Sequence, residues 1–146
     1  MLKAALLASC LLAFAATAAH ADEKTVVTPN KIKWATAPQF GPGARVAVLS
    51  GDPAKSGPYV MRLKLPANAT VPPHTHGGTE NVTVLSGNLN LAFGDKLDKS
   101  KGQKLGPGAF FSIPADTPHS AWASSATIVQ IHGTGPTDIK MVQGAK

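Results

Sequence analysis

The chain has 146 residues, 14 basic and 8 acidic side chains, a formal net charge of +6 at pH 7, and 43% hydrophobic residues. This length suits one domain with a modest core and is too short for two. The only cysteine is Cys10, which excludes an internal disulfide. The basic excess favours solubility and weak attraction to anionic surfaces.

The first 21 residues have the pattern of a secretory signal peptide. Lys3 supplies the basic start, an apolar stretch runs to Phe14, and residues 19–21 fit the small-x-small cleavage pattern. A transmembrane helix needs roughly 18 or more apolar residues, and polar side chains interrupt this run before charged residues follow it. We expect cleavage after Ala21, export to a bacterial periplasm or the medium, and no stable membrane insertion afterwards.

The remaining chain, residues 22–146, consists of short apolar runs separated by Gly, Pro, Asn and Asp, which is typical of an all-β sandwich or barrel. No stretch in it has a helical pattern. We expect a single domain with its core at about residues 32–142. The predicted strands cover residues 32–35, 45–49, 59–65, 79–85, 88–93, 109–113, 119–123, 127–132 and 139–142.

Two of these runs alternate clearly between apolar and polar side chains. In the run 59–65 the odd-numbered residues are apolar, and in the run 88–93 Asn90 lies opposite an apolar set of Leu89, Leu91 and Phe93. Each strand is therefore expected to bury one face. Two sheets packed face to face would cover both apolar faces.

A lysine-rich segment lies between the strands 88–93 and 109–113. It has no interleaved aromatic residues, so a solvated hairpin loop accounts for it better than a nucleic-acid-binding patch. We predict no nucleic-acid function. The lysines are Lys96, Lys99, Lys101 and Lys104.

Two histidines and a glutamate share even-numbered positions. His74 and His76 are two residues apart, so on an extended backbone both imidazoles project from one face and can bind one ion. Glu80 shares a strand face with Val82 and Val84, which directs its carboxylate inward. Burying an unpaired carboxylate costs several kcal/mol, so a cation or a proton must compensate its charge, and the two nearby imidazoles favour a cation.

His119 begins the predicted strand 119–123 and shares a face with Ala121 and Ala123. These small side chains leave space around the imidazole, as expected beside a ligand or water. A single histidine is more often a core or surface residue than a ligand. Three of the four histidines after residue 21, however, fall in the two segments 72–80 and 114–119. We therefore predict a metal site formed by three imidazoles and one carboxylate.

The spacing of these residues resembles that of the cupin superfamily. The first cupin motif has His-x-His, three residues, Glu, six residues and Gly, and its counterparts are His74, His76, Glu80 and Gly87. The second motif is matched in part, by Gly108, Pro114 and His119.

Three positions depart from the cupin motifs. Asn68 and Asp116 stand where glycine is usual, and Ala123 stands where asparagine is usual. Asn and Asp tolerate left-handed backbone better than other non-glycine residues, so both turns are expected to persist. Ala123 removes a polar side chain near the ligands without removing a ligand.

The resemblance implies a small single-domain metalloprotein with a jelly-roll barrel, also called a double-stranded β-helix, and one divalent metal ion inside it. Three imidazoles and a carboxylate suit Fe, Mn, Ni, Cu or Zn, and the general order of affinities does not choose among them. Octahedral coordination would leave two positions for water, substrate or dioxygen.

The leading interpretation is a metal-dependent enzyme acting on a small molecule, with the oxygenase, isomerase or lyase chemistry that occurs among similar proteins. Acid–base chemistry needs a further polar group within hydrogen-bond reach. The candidates are Tyr59, Gln130 and His132. Tyr59 is on a predicted inward face, where it also fills core. If Val129 and Ile131 point inward, Gln130 and His132 are surface residues, and this placement is favoured.

Two other functions remain open. A non-catalytic ligand- or metal-binding protein fits the scarcity of acid–base partners, because Glu80 is the only carboxylate predicted to lie inside. A site that only stabilises the fold would require closed tetrahedral coordination, which suits Zn(II). Trp122 and Phe110 are predicted to face outward, and they offer apolar surface for a homodimer.

Overall fold

The structure, a computed structural model, describes residues 24–142, so the predicted signal peptide lies outside the described residues. This part of the chain forms eleven β-strands and three short 3₁₀ turns. The strands are β1 (Ala35–Thr36), β2 (Arg45–Ser50), β3 (Gly57–Leu65), β4 (Thr70–Thr75), β5 (Glu80–Ser86), β6 (Leu89–Phe93), β7 (Gln103–Leu105), β8 (Phe110–Ile113), β9 (His119–Ala123), β10 (Thr127–Gly135) and β11 (Lys140–Met141).

The strands form two antiparallel sheets that face each other. One sheet has the order β1-β2-β3-β10-β5-β8, and the other has the order β11-β4-β9-β6-β7. The chain passes from one sheet to the other between β3 and β4, again between β4 and β5, and again between β5 and β6. This is the predicted all-β jelly-roll barrel.

The alternation predicted for residues 59–65 is confirmed. Tyr59, Met61, Leu63 and Leu65 are buried, and Lys64 on the other face of β3 is exposed. Val129 and Ile131 of the adjacent β10 are buried in the same core. Burial of one face of each sheet therefore accounts for most of the core.

The structure corrects the predicted strands in three places. Residues 70–75 form β4, which is not among the predicted strands, and the pairing of β4 with β9 is irregular between Val71 and His74, where Pro72 and Pro73 lie. Residues 103–105 form β7 within the lysine-rich segment. The first predicted strand, residues 32–35, is reduced to Ala35–Thr36.

The alternation predicted for residues 88–93 holds only in part. Leu89 and Leu91 are buried, but Phe93 is 54% exposed, because it is the last residue of β6 and precedes the Gly94 turn. Asn90, predicted to lie opposite the apolar set, is also buried. Its amide donates hydrogen bonds to the Trp122 carbonyl (3.2 Å) and to Ser124 Oγ (2.7 Å), which compensates for the loss of water.

Candidate metal centre

The end of β4 and the start of β9 bring three imidazoles together. His74 lies in β4, His76 follows the last residue of that strand, and His119 is the register partner of His74. The ring centroids are 4.2 Å apart for His74 and His119, 4.8 Å for His76 and His119, and 4.9 Å for His74 and His76. All three side chains are buried, with at most 5% of their surface exposed. The structure thus brings the three imidazoles together in one cluster.

Backbone carbonyls fix the orientation of two of these rings. His74 Nδ1 lies 2.8 Å from the Pro72 carbonyl oxygen, and His119 Nδ1 lies 2.9 Å from the Thr117 carbonyl oxygen. Because a carbonyl only accepts, each Nδ1 carries the proton and donates it. The Nε2 atom of each neutral ring then keeps its lone pair, which is the form in which imidazole binds a metal ion.

Glu80 approaches the histidines from the opposite sheet, because it is the first residue of β5. Its Oε1 lies 3.6 Å from His76 Nε2, and its Oε2 lies 3.9 Å from His119 Nε2. The residue is 9% exposed. The prediction that this carboxylate points into the barrel towards the histidines therefore agrees with the structure.

Burial makes the uncharged forms of these groups more favourable. Desolvation raises the pKa of Glu80 to about 7. Desolvation, with the neighbouring His119 and His74, lowers the pKa of His76 to about 3. Desolvation and His74 lower the pKa of His119 to about 4, and burial also lowers the pKa of His74. At neutral pH the imidazoles are uncharged, so their approach to Glu80 is not an ion pair.

These four residues fit a divalent metal ion. One ligand atom of each histidine lies within 4.8 Å of those of the other two, so a small contraction around an ion would bring them together. His76 Nδ1 is buried without a hydrogen-bond partner in the described part of the chain, so this ring, unlike those of His74 and His119, has no carbonyl acceptor that fixes its tautomer. A cation would also compensate the charge of Glu80. His74, His76, Glu80 and His119 are the residues that would hold the ion.

The turns at the motif positions have the backbone expected from the motif residues. Gly87 has φ +80°, and a Cβ there would lie 2.2 Å from the Ala126 carbonyl oxygen, so no larger residue fits. Asn68 (φ +67°) and Asp116 (φ +55°) occupy the left-handed region in place of glycine, as predicted. The Asp116 amide donates to the His76 carbonyl at 2.9 Å, which ties the loop before His119 to the segment that carries His76.

The three candidate catalytic residues do not all lie on the same face of their sheet. Tyr59 lies on the inner face, with its hydroxyl oxygen 3.1 Å from where a Cβ on Gly133 would lie. Gln130 and His132 lie on the outer face of β10, and His132 is exposed. Gln130 Oε1 accepts a hydrogen bond from Arg62 Nε at 3.1 Å. Of the three, only Tyr59 lies on the inner face, where the charge of Glu80 influences its hydroxyl group, and the outer-face placement of the other two matches the favoured expectation.

A cavity of ≈ 50 Å³ adjoins His74, His119 and Glu80. Ala121 belongs to its wall, as expected from its position two residues after His119. Phe40 and Ile139 were not predicted to lie near the site, because Phe40 comes from a 3₁₀ turn outside every predicted strand and Ile139 from a predicted edge strand. The apolar character of Phe40 and Ile139 within otherwise polar segments was the only feature of the sequence that could have indicated their burial near the site.

A two-sheet jelly roll with three histidines and a glutamate at one end of its interior defines a class of protein, and comparison with known proteins names it. The family model described as "Cupin domain" matches residues 61–132. Residues 61–132, which carry all four candidate ligands, are therefore a cupin domain, and the described fold is that of the cupin superfamily. No curated protein matches the sequence.

Solved structures with the same fold include several enzymes. The polyketide cyclase RemF from Streptomyces resistomycificus is 18% identical, with a TM-score of 0.68 over 85% of this chain and 89% of that chain. An acetylacetone dioxygenase from Acinetobacter johnsonii is 15% identical, with a TM-score of 0.66 over 85% and 80% of the two chains. KdgF from Halomonas sp. is 18% identical, with a TM-score of 0.58 over 75% and 93%. These identities establish a common fold and not a common activity.

Within residues 24–142, no helix has the length and apolar character that a membrane span requires.

Proposed function

We propose that this protein is a metal-dependent enzyme that acts on a small molecule, with an oxygenase, isomerase or lyase type of reaction. The observation that carries this proposal is the convergence of His74, His76, His119 and Glu80, three of which, His74, His119 and Glu80, form the polar end of a buried cavity. The dioxygenase and the cyclase among the structural neighbours are consistent with it. The metal is Fe, Mn, Ni, Cu or Zn, and the donor set suits all five.

Each residue has a distinct task in this proposal. The carbonyl oxygens of Pro72 and Thr117 hold His74 and His119 in the tautomer that presents Nε2. Glu80 supplies a negative charge that offsets the charge of the cation. A bound divalent ion would supply Lewis acidity, and a redox-active ion would also supply electrons. The apolar wall keeps bulk water from the site, which strengthens electrostatic interactions there.

The test is metal-dependent turnover. The chain without residues 1–21 would be loaded anaerobically with each of the five metals and then offered a panel of small carbonyl, enol and phenol compounds, with and without dioxygen. Turnover that follows metal content and is lost in His76→Ala would support the proposal. A fully metallated protein that leaves the panel unchanged but still binds its members would instead support a binding protein.

A non-catalytic ligand- or metal-binding protein is the second candidate. One observation favours it: the only polar side chains in the cavity wall are His74, Glu80 and His119, all of which are candidate metal ligands. No free acid or base lines the cavity among the described residues. A site that only stabilises the fold is the third candidate, and it would require a closed tetrahedral Zn(II) site.

Export is part of the proposed function and rests on the pattern of residues 1–21. The expected location is the periplasm of a bacterium or the medium. Cell fractionation, with N-terminal sequencing of the recovered protein, tests it. A mature chain that begins at Asp22 is the expected result, and a cytoplasmic chain that begins at Met1 would contradict it.

A homodimer is a further part of the proposal. Phe110 lies on β8 at the edge of the larger sheet and is 58% exposed, and Leu85 on the neighbouring β5 is also exposed. Trp122 is only half-buried. Sedimentation equilibrium of the wild type and of Phe110→Ser tests this arrangement, because the loss of an apolar contact would shift the variant towards the monomer.

A further inference from the structure

The cavity beside the candidate metal ligands is polar at one end only. Sixteen side chains line it, and thirteen of them are apolar. The other three are His74, Glu80 and His119. Among the described residues, no lysine, arginine, amide or hydroxyl side chain belongs to this wall. Away from the metal ligands, the side chains therefore offer a bound molecule only apolar contacts.

The size of the cavity limits what can occupy it. Its volume is ≈ 50 Å³, whereas an apolar protein cavity of about 150 Å³ is known to hold benzene. In the shape seen here, this cavity, called the chamber below, accommodates a group clearly smaller than a benzene ring. A buried hydroxyl without a partner lowers affinity roughly 5- to 100-fold, so a sugar or another polyol is a poor occupant.

Solvent reaches the wall at three places. Phe111 on β8, Ala121 on β9 and Ile139 just before β11 are half-buried, whereas the other apolar wall residues are buried. These three side chains therefore border the side from which a molecule enters. Ala121 is two residues from His119 on the same strand face, so its small size sets the width of the chamber next to the metal ligands.

We propose that the substrate is a compact amphiphile, with a short aliphatic group that enters the chamber and an oxygen donor that reaches the histidine end. The inference rests on the proposed function, because the oxygen donor needs a metal ion to bind. It excludes polyols, and it excludes molecules whose chamber-facing end carries a charge, since the wall holds no ionisable side chain apart from the candidate ligands.

The experiment uses hydroxamates, which share one metal-binding head and differ only in the tail. Acetohydroxamate, isobutyrohydroxamate, lactohydroxamate and benzohydroxamate would be titrated into the Co(II)-loaded mature chain, with the visible absorption of Co(II) as the signal. Because each buried methylene gains about fourfold, isobutyrohydroxamate should bind at least tenfold more tightly than acetohydroxamate. Lactohydroxamate should bind at least fivefold more weakly than isobutyrohydroxamate, and benzohydroxamate should also bind more weakly than it.

Wall variants separate the chamber from the metal site. Ala121→Leu should remove the advantage of isobutyrohydroxamate while acetohydroxamate and Co(II) still bind. Phe111→Ala should enlarge the chamber and favour benzohydroxamate. Thr83→Leu is the matched control, because Thr83 is the outward-facing register partner of Phe110 and Gln130. It should leave the whole series unchanged.

The possible failures of this experiment are distinguishable. A wild-type chain that binds no Co(II) would overturn the proposed metal site. Co(II) binding with equal affinity for all four tails, or with lactohydroxamate tightest, would overturn the proposed substrate class alone. An Ala121→Leu variant that keeps the full preference for isobutyrohydroxamate would show that the tail binds outside the chamber, and it would also overturn the inference.

Discussion

Tyr59 and Glu80 are linked across the inner face of the barrel through one glycine. Gly133 is the register partner of Tyr59 on one side and of Glu80 on the other. The Tyr59 ring lies over Gly133, since a Cβ there would be 3.1 Å from the phenol oxygen and 3.4 Å from Cε1. A side chain at residue 133 would occupy this space, so the glycine allows the phenol to lie between its own strand and the candidate metal ligand.

The first prediction concerns the ionisation of Tyr59. Burial, with a smaller contribution from the charge of Glu80, raises the pKa of the phenol to about 12, compared with about 10 for exposed tyrosine. Tyr59 is the only tyrosine in the chain, so the near-ultraviolet absorbance of tyrosinate reports on this residue alone. The folded protein should show little tyrosinate absorbance at pH 10 to 11.

The control for this titration is the same chain in guanidinium chloride, in which Tyr59 should ionise near pH 10. The Glu80→Gln variant removes the smaller contribution and should lower the midpoint slightly. A folded wild type that ionises with the unfolded midpoint would show that the phenol is accessible to solvent and does not occupy the position over Gly133.

The second prediction is that His76→Ala abolishes tight metal binding. Loss of this imidazole removes one of four donors, and changes in residues that merely orient ligands already cost 10- to 100-fold in affinity, so at least that loss is expected. Elemental analysis after dialysis measures it. His132→Ala is the matched control, because His132 is exposed on the outer face of β10. Equal metal content in His76→Ala and wild type would refute the assigned site.

The sequence predicts most of the barrel because strand alternation and turn residues are local signals. It also predicts the cluster of candidate ligands, since parity places His74, His76 and Glu80 on inward faces. It does not predict β4 as a strand, because that segment contains two prolines, and a proline has no amide hydrogen to donate to a neighbouring strand. In the structure the irregular pairing between Val71 and His74 accommodates both prolines. A break in register depends on the partner strand, which no local pattern describes.

The cavity could not be predicted to the same degree. Its wall combines residues far apart in the chain, such as Phe40, Leu89 and Ile139. The empty volume depends on how closely the two sheets approach each other. Parity alone also misjudged Phe93, because this residue ends β6 before the Gly94 turn, which leaves its side chain 54% exposed.

The third prediction concerns removal of the metal. An ion that binds only the folded state stabilises it by about 2.7 kcal/mol at a concentration of 100 times the dissociation constant. For a domain of this size, a chelator should therefore lower the melting temperature by about 10 °C. Calorimetry before and after chelation, with metal content measured in the same samples, tests this. Unchanged melting despite complete metal removal would show that the ion does not stabilise the fold.

The fourth prediction is that the metal-free protein loses stability in acid. The pKa values of His76 and His119 are lowered to about 3 and about 4, so between these values and about 6.5 the unfolded chain binds protons that the folded chain does not. The stability contributed by these histidines is fully present above pH 6.5 and falls as the pH falls towards 4.

Glu80 opposes part of this trend. Its pKa is raised to about 7, so between about pH 4.5 and 7 the folded chain binds one proton that the unfolded chain has lost. The net difference from His76, His119 and Glu80 is about one proton, which corresponds to about 1.4 kcal/mol per pH unit between pH 6 and 5. The lowered pKa of His74 acts in the same direction as those of the other two histidines and makes the slope steeper. Urea unfolding of the chelator-treated protein at a series of pH values measures this slope. A flat profile over this range would contradict the burial of the imidazoles.

The fifth prediction separates the two roles of Glu80. Above pH 7 the metal-free wild type must hold a buried carboxylate in its charged form, because the pKa of this group is raised to about 7. Glu80→Gln removes that charge, so the metal-free variant should be more stable than the metal-free wild type at pH 8, by about 1–2 kcal/mol after allowance for the buried amide. With saturating metal the order should reverse, because the carboxylate is then a ligand. Urea unfolding of both proteins in both states gives four free energies of unfolding. A variant that is less stable in both states by the same amount would show that Glu80 only packs against the histidines, 3.6 Å from His76 Nε2, and binds no ion.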